Sequence, residues 1–242
     1  KFSRFLGYEL MDQSDLSIPT SNFNSERTLS TLGKKSLTPP MGTLQITRSI
    51  KSLDIILRTC ASVKMLTQSK ERIFEKEKYE YSLRSLQSIV SSINSCKQQL
   101  KNLKIKITII DHKSDKKIVD KFHSILKNVF FNYEVLFLDY EKYNSKISNQ
   151  NEIKDLVTEN QKSNMSNIHQ SLDIAKNCED LIYFVEDDYL HTRGSILELL
   201  LTYEKFSSQL NSELFLCPAD YPYLYRDIEN TNILLGDKSH WR

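Results

Sequence analysis

Leu181-Ile182-Tyr183-Phe184-Val185-Glu186-Asp187-Asp188 is the stretch of this 242-residue chain from which the fold can be read. Its five apolar residues are rich in β-branched and aromatic side chains and too few for a helix, so they read as a strand. Unbroken hydrophobicity, without polar alternation, predicts a strand covered on both faces, as in a parallel sheet flanked by helices. The chain passes from that strand directly into three consecutive acids.

The flanking segments fit the same scheme. Upstream, Asn167 reads as the N-cap of a helix bearing Ile168, Leu172 and Ala175. Downstream, Ser195 and Glu198 have the spacing of a capping box ahead of Ile196, Leu199, Leu200 and Phe206. Leu53–Leu57, Ile105–Ile110 and Tyr133–Leu138 read as further strands, and Glu213–Cys217 as a last short one. Between the first two, Leu83, Leu86, Val90, Ile93 and Leu100 recur at helical spacing. Between the second and third, Ile118, Val119, Phe122, Ile125, Leu126 and Val129 form one stripe. Residues 139–162 are polar and aperiodic and read as a surface loop. Strand and helix alternating in this way predict an α/β fold, with right-handed crossovers and a mostly parallel sheet carrying helices on both faces.

Residues 1–50 differ. They hold Pro19, Pro39 and Pro40 of the five prolines and three of the five glycines, and read as an irregular N-terminal arm with a short helix near Phe2–Leu10. Residues 51–242 read as one domain, cut short at its C-terminal end within a longer polypeptide. Glycine is too scarce for a dinucleotide or Walker loop, which argues against a dehydrogenase or P-loop ATPase. With 33 Lys and Arg against 31 Asp and Glu, the net charge of +2 argues against a nucleic-acid binder. The longest apolar run is Leu181–Val185, far below the roughly 20 residues of a membrane span. Cys60, Cys96, Cys178 and Cys217 lack a CxxC spacing and read as reduced thiols, which points to a cytoplasmic setting.

In an open α/β sheet, ligands bind beyond the carboxyl ends of the strands. That singles out Arg58, Thr59 and Cys60, then Asp111, His112, Lys113 and Ser114, then Glu186, Asp187 and Asp188, and finally Asp220 and Tyr221. Three adjacent carboxylates repel one another, and a divalent cation among them would relieve that cost. On an extended backbone Glu186 and Asp188 point one way and Asp187 the other, into the sheet or towards backbone N–H groups. Oxygen donors favour Mg²⁺ or Mn²⁺. From the triplet alone, an acidic turn that merely solubilises a strand end remains an equal alternative. His191 reads as a cap of the following turn and His123 as solvent-facing.

Three segments carry a resemblance to a known family. Ile109-Ile110-Asp111-His112-Lys113-Ser114-Asp115, the helix from Asn167 through Ala175, and Phe184-Val185-Glu186-Asp187-Asp188 are similar to motifs of the GT-A fold nucleotide-sugar glycosyltransferases, most like the family 2 type. The resemblance covers roughly residues 52–220. Two of the motifs depart from it. His112 and Lys113 stand where the family has a second Asp and a Gly, and Glu186 opens the acidic motif in place of Asp.

The resemblance implies a metal-dependent transferase that moves a sugar from a nucleoside-diphosphate donor to a sugar or lipid-linked glycan acceptor in surface glycan synthesis. On that reading Asp188, with Glu186 and His240, holds Mn²⁺ or Mg²⁺. Arg58 and Lys113 contact phosphates, Asp111 binds the base or ribose, Asp187 belongs to the same nucleotide site, and Asp220 is the catalytic base. Tyr221, Tyr223, Tyr225 and Trp241 fit a sugar acceptor site. The setting implied is the cytoplasm, with room for peripheral association at the inner face of the membrane. A metal-dependent phosphoryl or nucleotidyl transferase and a non-catalytic nucleotide-binding or interaction domain are the competing readings.

Overall fold

The computed structural model describes residues 45–61, 77–150 and 156–218, together with the backbone of Leu234–Leu235 and His240–Trp241. Its chain divides into two compact units: Ile50–Leu197, and the two flanking segments Lys1–Ser49 and Glu198–Arg242.

The first unit is an α/β layer structure. Its elements run β1 (Ser52–Thr59), α1 (Lys78–Ser95), α2 (Lys97–Leu100), β2 (Lys104–Asp111), α3 (Lys116–Leu126), β3 (Asn132–Phe137), α4 (Tyr140–Asn144), α5 (Glu159–Ala175) and β4 (Leu181–Glu186), followed by the start of α6 (Ser195–Leu210). The four strands make one sheet in the order β3-β2-β1-β4, and every pairing is parallel. The expected α/β fold with a parallel sheet and helices on both faces is therefore present.

Strand alternation explains the two helical layers. Ile56 and Ile110 point to one side, where they pack with Leu138 and Tyr143 and with the half-buried Tyr140, Ile174, Ala175 and Ile182 of α4, α5 and β4. Leu53, Ile55, Leu57, Ile105, Ile107 and Ile109 point to the other side and are all at most 3% exposed. The buried stripes of α1 (Leu86, Ile89, Val90, Ile93) and α3 (Ile118, Val119, Phe122, Leu126) face them, and these two helices pack together. Each such side chain contributes about 1.5–3 kcal/mol on burial, so β1 and β2 anchor the unit.

Four local expectations differ from the structure. Phe184 is 43% exposed, because β4 borders the sheet among the described residues and has only β1 beside it. Residues 139–162 are not a plain loop: α4 begins at Tyr140 and α5 at Glu159. Thr158 caps α5 through a capping box with Gln161, so Asn167 lies mid-helix, where its amide donates to the Ile110 carbonyl at 3.0 Å. Glu213–Cys217 is irregular, not a strand.

In the second unit, Thr47 and Arg48 donate their backbone N–H groups to Ser208 Oγ, and Arg48 pairs with Glu213 at 2.7 Å. Asn211, at φ 50°, ends α6 in the left-handed region that asparagine tolerates. Leu234–Leu235 (β5) and His240–Trp241 (β6) pair antiparallel. Among the described residues, no helix is long and apolar enough to cross a membrane.

Candidate functional site

In the order β3-β2-β1-β4, successive strands are laid outward in one direction from β1, and β4 is then added on its other side. The topological switch point therefore lies between β1 and β4, and their carboxyl ends open the crevice where such sheets take ligands. Arg58 and Glu186 are paired in register at that edge, so the end of β1 and the acidic turn after β4 stand side by side.

The three acids have three different environments. Glu186 is exposed, and its carboxylate is held by the Arg58 guanidinium at 2.5 Å, while Arg58 also donates to Asn164 Oδ1 of α5 at 3.0 Å. Asp188 is exposed. Asp187 turns inward and is 6% exposed. It receives Lys78 Nζ at 2.5 Å on one oxygen, and Ser82 Oγ at 2.5 Å and the Cys60 N–H at 3.4 Å on the other. The backbone carries Glu186 to the α5 side and Asp187 to the α1 side. Asp187 thus ties α1 and the end of β1 to the acidic turn, facing inward and accepting a backbone N–H as strand alternation led us to expect.

A row of serines on α1 continues the attachment. Ser85 Oγ donates to the Glu186 carbonyl at 3.5 Å, and Ser88 Oγ accepts the His191 N–H at 2.9 Å. Ser92 Oγ accepts the Ile196 N–H at 3.1 Å and meets Ser195 Oγ at 3.2 Å. Ser195 is itself the first helical residue of α6, so the hydroxyl that caps Ile196 comes from α1. Gly194 precedes it at φ 82°, a conformation that costs a residue with a Cβ. His191 does not cap a turn alone: its ring lies between Ser88 and the Tyr183 hydroxyl, 2.9 Å from Nε2. Burial lowers its pKa to about 4.

The turn after β2 is equally organised. Asp111 is wholly buried. Its carboxylate accepts from Thr59 Oγ1 at 2.7 Å, Ser114 Oγ at 2.5 Å and the Ser114 N–H at 3.0 Å. Asp111 therefore shapes the turn from within, where a direct contact to a base or ribose was expected. His112 also points inward, with Nδ1 2.5 Å from Ser163 Oγ and its ring stacked on Tyr140. Burial, then the neighbouring Lys113 charge, lowers its pKa, against a smaller opposing pull from Asp111. Lys113 is exposed and adopts φ 59°, the left-handed region that a glycine would occupy without steric cost. Its ammonium lies 5.4 Å from the Tyr140 ring centre.

The structure thus brings Arg58, Glu186, Asp187 and Asp188 to one edge, with Asp111 and Lys113 on the next strand. Asp220 lies outside the described residues, as do Tyr221, Tyr223 and Tyr225. His240 and Trp241 are described only as backbone of β6. Among the described residues, no three His, Cys, Asp or Glu side chains come together so as to hold a metal ion. The available donors therefore do not make an all-protein cage. A hard cation at these donors would need most of its ligands from water and a bound molecule's oxygens, as Mg²⁺ and Mn²⁺ sites with one or two carboxylates commonly do. Lys78, Ser82, Ser163 and Asn164 escaped the sequence reading, because polar helix residues carry no apolar signal, whether buried like Ser82 and Ser163 or exposed like Asn164.

All four cysteines are free thiols. Burial, reinforced by Asp111 and Asp187, pushes Cys60 up to about 11, which makes it a poor nucleophile. No protein-family model matches this chain, and no curated protein or solved structure is significantly similar to it.

Proposed function

We propose that this chain carries a GT-A-like glycosyltransferase domain that uses a nucleoside-diphosphate sugar. The observation that carries this reading is the placement of the exposed carboxylates of Glu186 and Asp188 at the β1/β4 switch point, beside Arg58 and one strand from Lys113. A ligand lying across these strand ends would meet negative groups suited to a cation and positive groups suited to phosphate. That pairing suits a metal–diphosphate complex better than it suits a neutral ligand.

Asp188, with Glu186 beside it, is the group that would hold Mn²⁺ or Mg²⁺. When bound, the cation would neutralise charge growing on the diphosphate as the bond from the anomeric carbon to phosphate oxygen breaks. Arg58 would orient a phosphate through its planar fork, and Lys113 would add a mobile positive charge at the next strand end. Asp111, Thr59 and Ser114 keep the β2 turn in place beneath the nucleotide. The acceptor hydroxyl oxygen would form the new bond to the anomeric carbon and pass its proton to a base. Asp220 is the sequence-level candidate for that base.

A thermal-shift and hydrolysis screen of nucleotide sugars, with and without Mn²⁺, tests the reading. Stabilisation by UDP or GDP that needs Mn²⁺, abolished in Asp188→Ala, is the expected outcome. A metal-dependent shift unchanged by Asp188→Ala would overturn it. A product carrying transferred phosphate in place of sugar would reassign the chain to phosphoryl transfer.

A further inference from the structure

We infer that the outer face of α3 is a docking surface for a membrane rich in anionic phospholipid. The attraction comes from lysine charge and is independent of the chemistry that the β1/β4 crevice performs.

The near-neutral total charge conceals a segregation. Residues 97–131 hold nine lysines against three aspartates, with no arginine and no glutamate, a net +6 in a chain whose total is +2. Asp111 is wholly buried, which leaves Asp115 and Asp120 as the acids of this segment that reach the surface. The buried stripe of α3 is Ile118, Val119, Phe122 and Leu126. At 3.6 residues per turn, the opposite arc carries Lys116, Lys117, Lys121 and Lys127, all exposed, with Asp120 the one acid among them. Lys97 of α2 extends the patch, its ammonium 5.3 Å from the ring centre of Phe130 just past the end of α3.

The helix itself gains little from these charges. Lys116 and Lys117 occupy the first turn of α3, which holds no acidic residue and where the helix dipole disfavours cations. Lys117 and Lys121 stand four residues apart, the spacing at which like charges on a helix repel. Lys104 and Lys106 of β2 pair with Glu179 and Glu134, but no lysine of α3 pairs with a carboxylate among the described residues. Lys121 lies instead over the Tyr79 ring, 5.0 Å from its centre.

A layer of lipid phosphates and carboxylates would supply the missing counter-charge. The choice of lysine favours such a layer over nucleic acid. A compact ammonium on a flexible stem is drawn to charge density of any geometry, whereas arginine's planar fork, absent from this segment, suits phosphate-by-phosphate recognition. Phe130 and Phe131 are half-buried and offer little apolar area for insertion. The attraction is therefore electrostatic, and it fades within a Debye length of the surface.

Co-sedimentation of the full 242-residue chain with phosphatidylcholine vesicles, with and without a third of the lipid replaced by phosphatidylserine, tests this. Binding is expected on the anionic vesicles at about 0.1 M NaCl, absent on phosphatidylcholine alone and lost at about 0.5 M NaCl. Each lysine close to such a surface strengthens partition about fivefold, so the triple variant Lys116→Gln, Lys117→Gln, Lys127→Gln should bind about a hundredfold more weakly. The triple variant Lys142→Gln, Lys146→Gln, Lys176→Gln alters the net charge equally around α4 and α5 and should bind like the wild type. Circular dichroism confirms that both variants are folded. Wild-type protein that stays in solution beside anionic vesicles would overturn the inference, as would two triple variants that weaken binding equally. So would binding of duplex DNA or RNA that the α3 variant loses while its vesicle binding stays unchanged, which would make the face a nucleic-acid surface. None of these outcomes bears on the nucleotide-sugar screen, which tests the transferase reading separately.

Discussion

Ser82 Oγ donates to Asp187 Oδ2 at 2.5 Å across 105 residues of sequence, closing α1 onto the turn that follows β4. With Lys78 on the other oxygen, the Asp187 carboxylate is satisfied although it is 6% exposed. A buried ion pair of this kind says little about net stability while intact, but removal of one partner strands the other. Asp187→Ala should therefore cost about 3 kcal/mol in urea unfolding, because the Lys78 ammonium loses its partner. Ser82→Ala should cost about 1–2 kcal/mol. The double variant Lys78→Met, Asp187→Asn should lose clearly less than the sum of its parts. Strict additivity would mean that the two side chains are not coupled.

Lys113 is the second position with a definite energetic consequence. A side chain with a Cβ at φ 59° carries about 1–2 kcal/mol of steric cost. Lys113→Gly removes it, although glycine gives back part of the gain through its greater freedom when unfolded. The expected net result is stabilisation by about 0.5–1 kcal/mol. Lys113→Val should destabilise, since a branched Cβ fits this region worst. Melting temperatures of the two variants moving the same way would contradict the conformation at this turn.

The parts of the fold that were legible in sequence are those where burial and apolarity coincide. Ile105–Ile110 and the stripe Ile118, Val119, Phe122 and Leu126 announce a strand and a helix because every core-facing position is aliphatic or aromatic. Helix α5 breaks that rule. Its buried face is Ser163, Ser166, Asn167, Gln170 and Ser171. Two of these serve backbone at the sheet: Asn167 donates to the Ile110 carbonyl, and Gln170 bridges the Phe137 carbonyl and the Asp139 N–H. Periodicity of apolar residues cannot find such a face, so the start of α5 was missed and Asn167 read as a cap.

The acidic turn was legible for a different reason. Three charges after an apolar run mark a strand end whatever they do, and alternation placed Asp187 opposite Glu186. What the sequence could not reveal was their partners, because Arg58, Lys78 and Ser82 are more than 100 residues away. The serines of α1 were silent for the same reason: 82, 85, 88 and 92 keep helical spacing, but nothing in their chemistry says that a loop runs along them.

His191 predicts a pH dependence with a fixed sign. Burial holds it neutral in the folded protein down to about pH 4, whereas the unfolded chain protonates it near 6.5. The unfolded state therefore binds the extra proton across that window, and stability falls as pH drops from 6.5 to 4. The contribution approaches about 3 kcal/mol at the acid end and is absent above pH 7. His112, lowered in the same direction by burial, adds to the same slope. His191→Gln keeps groups able to bond Ser88 and the Tyr183 hydroxyl but does not titrate. Urea midpoints at pH 7.5 and 5.0 should differ less in that variant than in the wild type. An unchanged difference would show that His191 is not held neutral.

The four thiols should separate by reactivity, and this separation reads the β1/β4 edge directly. Cys217 is exposed, Cys96 is buried, and Cys60 and Cys178 are half-buried. Cys60 is pushed up to about 11 by burial and by Asp111 and Asp187, and Cys178 to about 11 by burial and by Asp54. A thiol reagent attacks the thiolate, whose population at pH 7.5 is then about a thousandfold below that of the thiol for these two residues. Brief iodoacetamide treatment followed by peptide mass spectrometry should label Cys217 first and leave the other three largely unmodified. Asp187→Asn removes one of the charges that suppress the Cys60 thiolate and loosens the turn that covers it, so Cys60 should gain reactivity in that variant while Cys96 does not. If Cys60 labels as fast as Cys217 in the wild type, then the end of β1 is open to solvent and Asp187 does not clamp it.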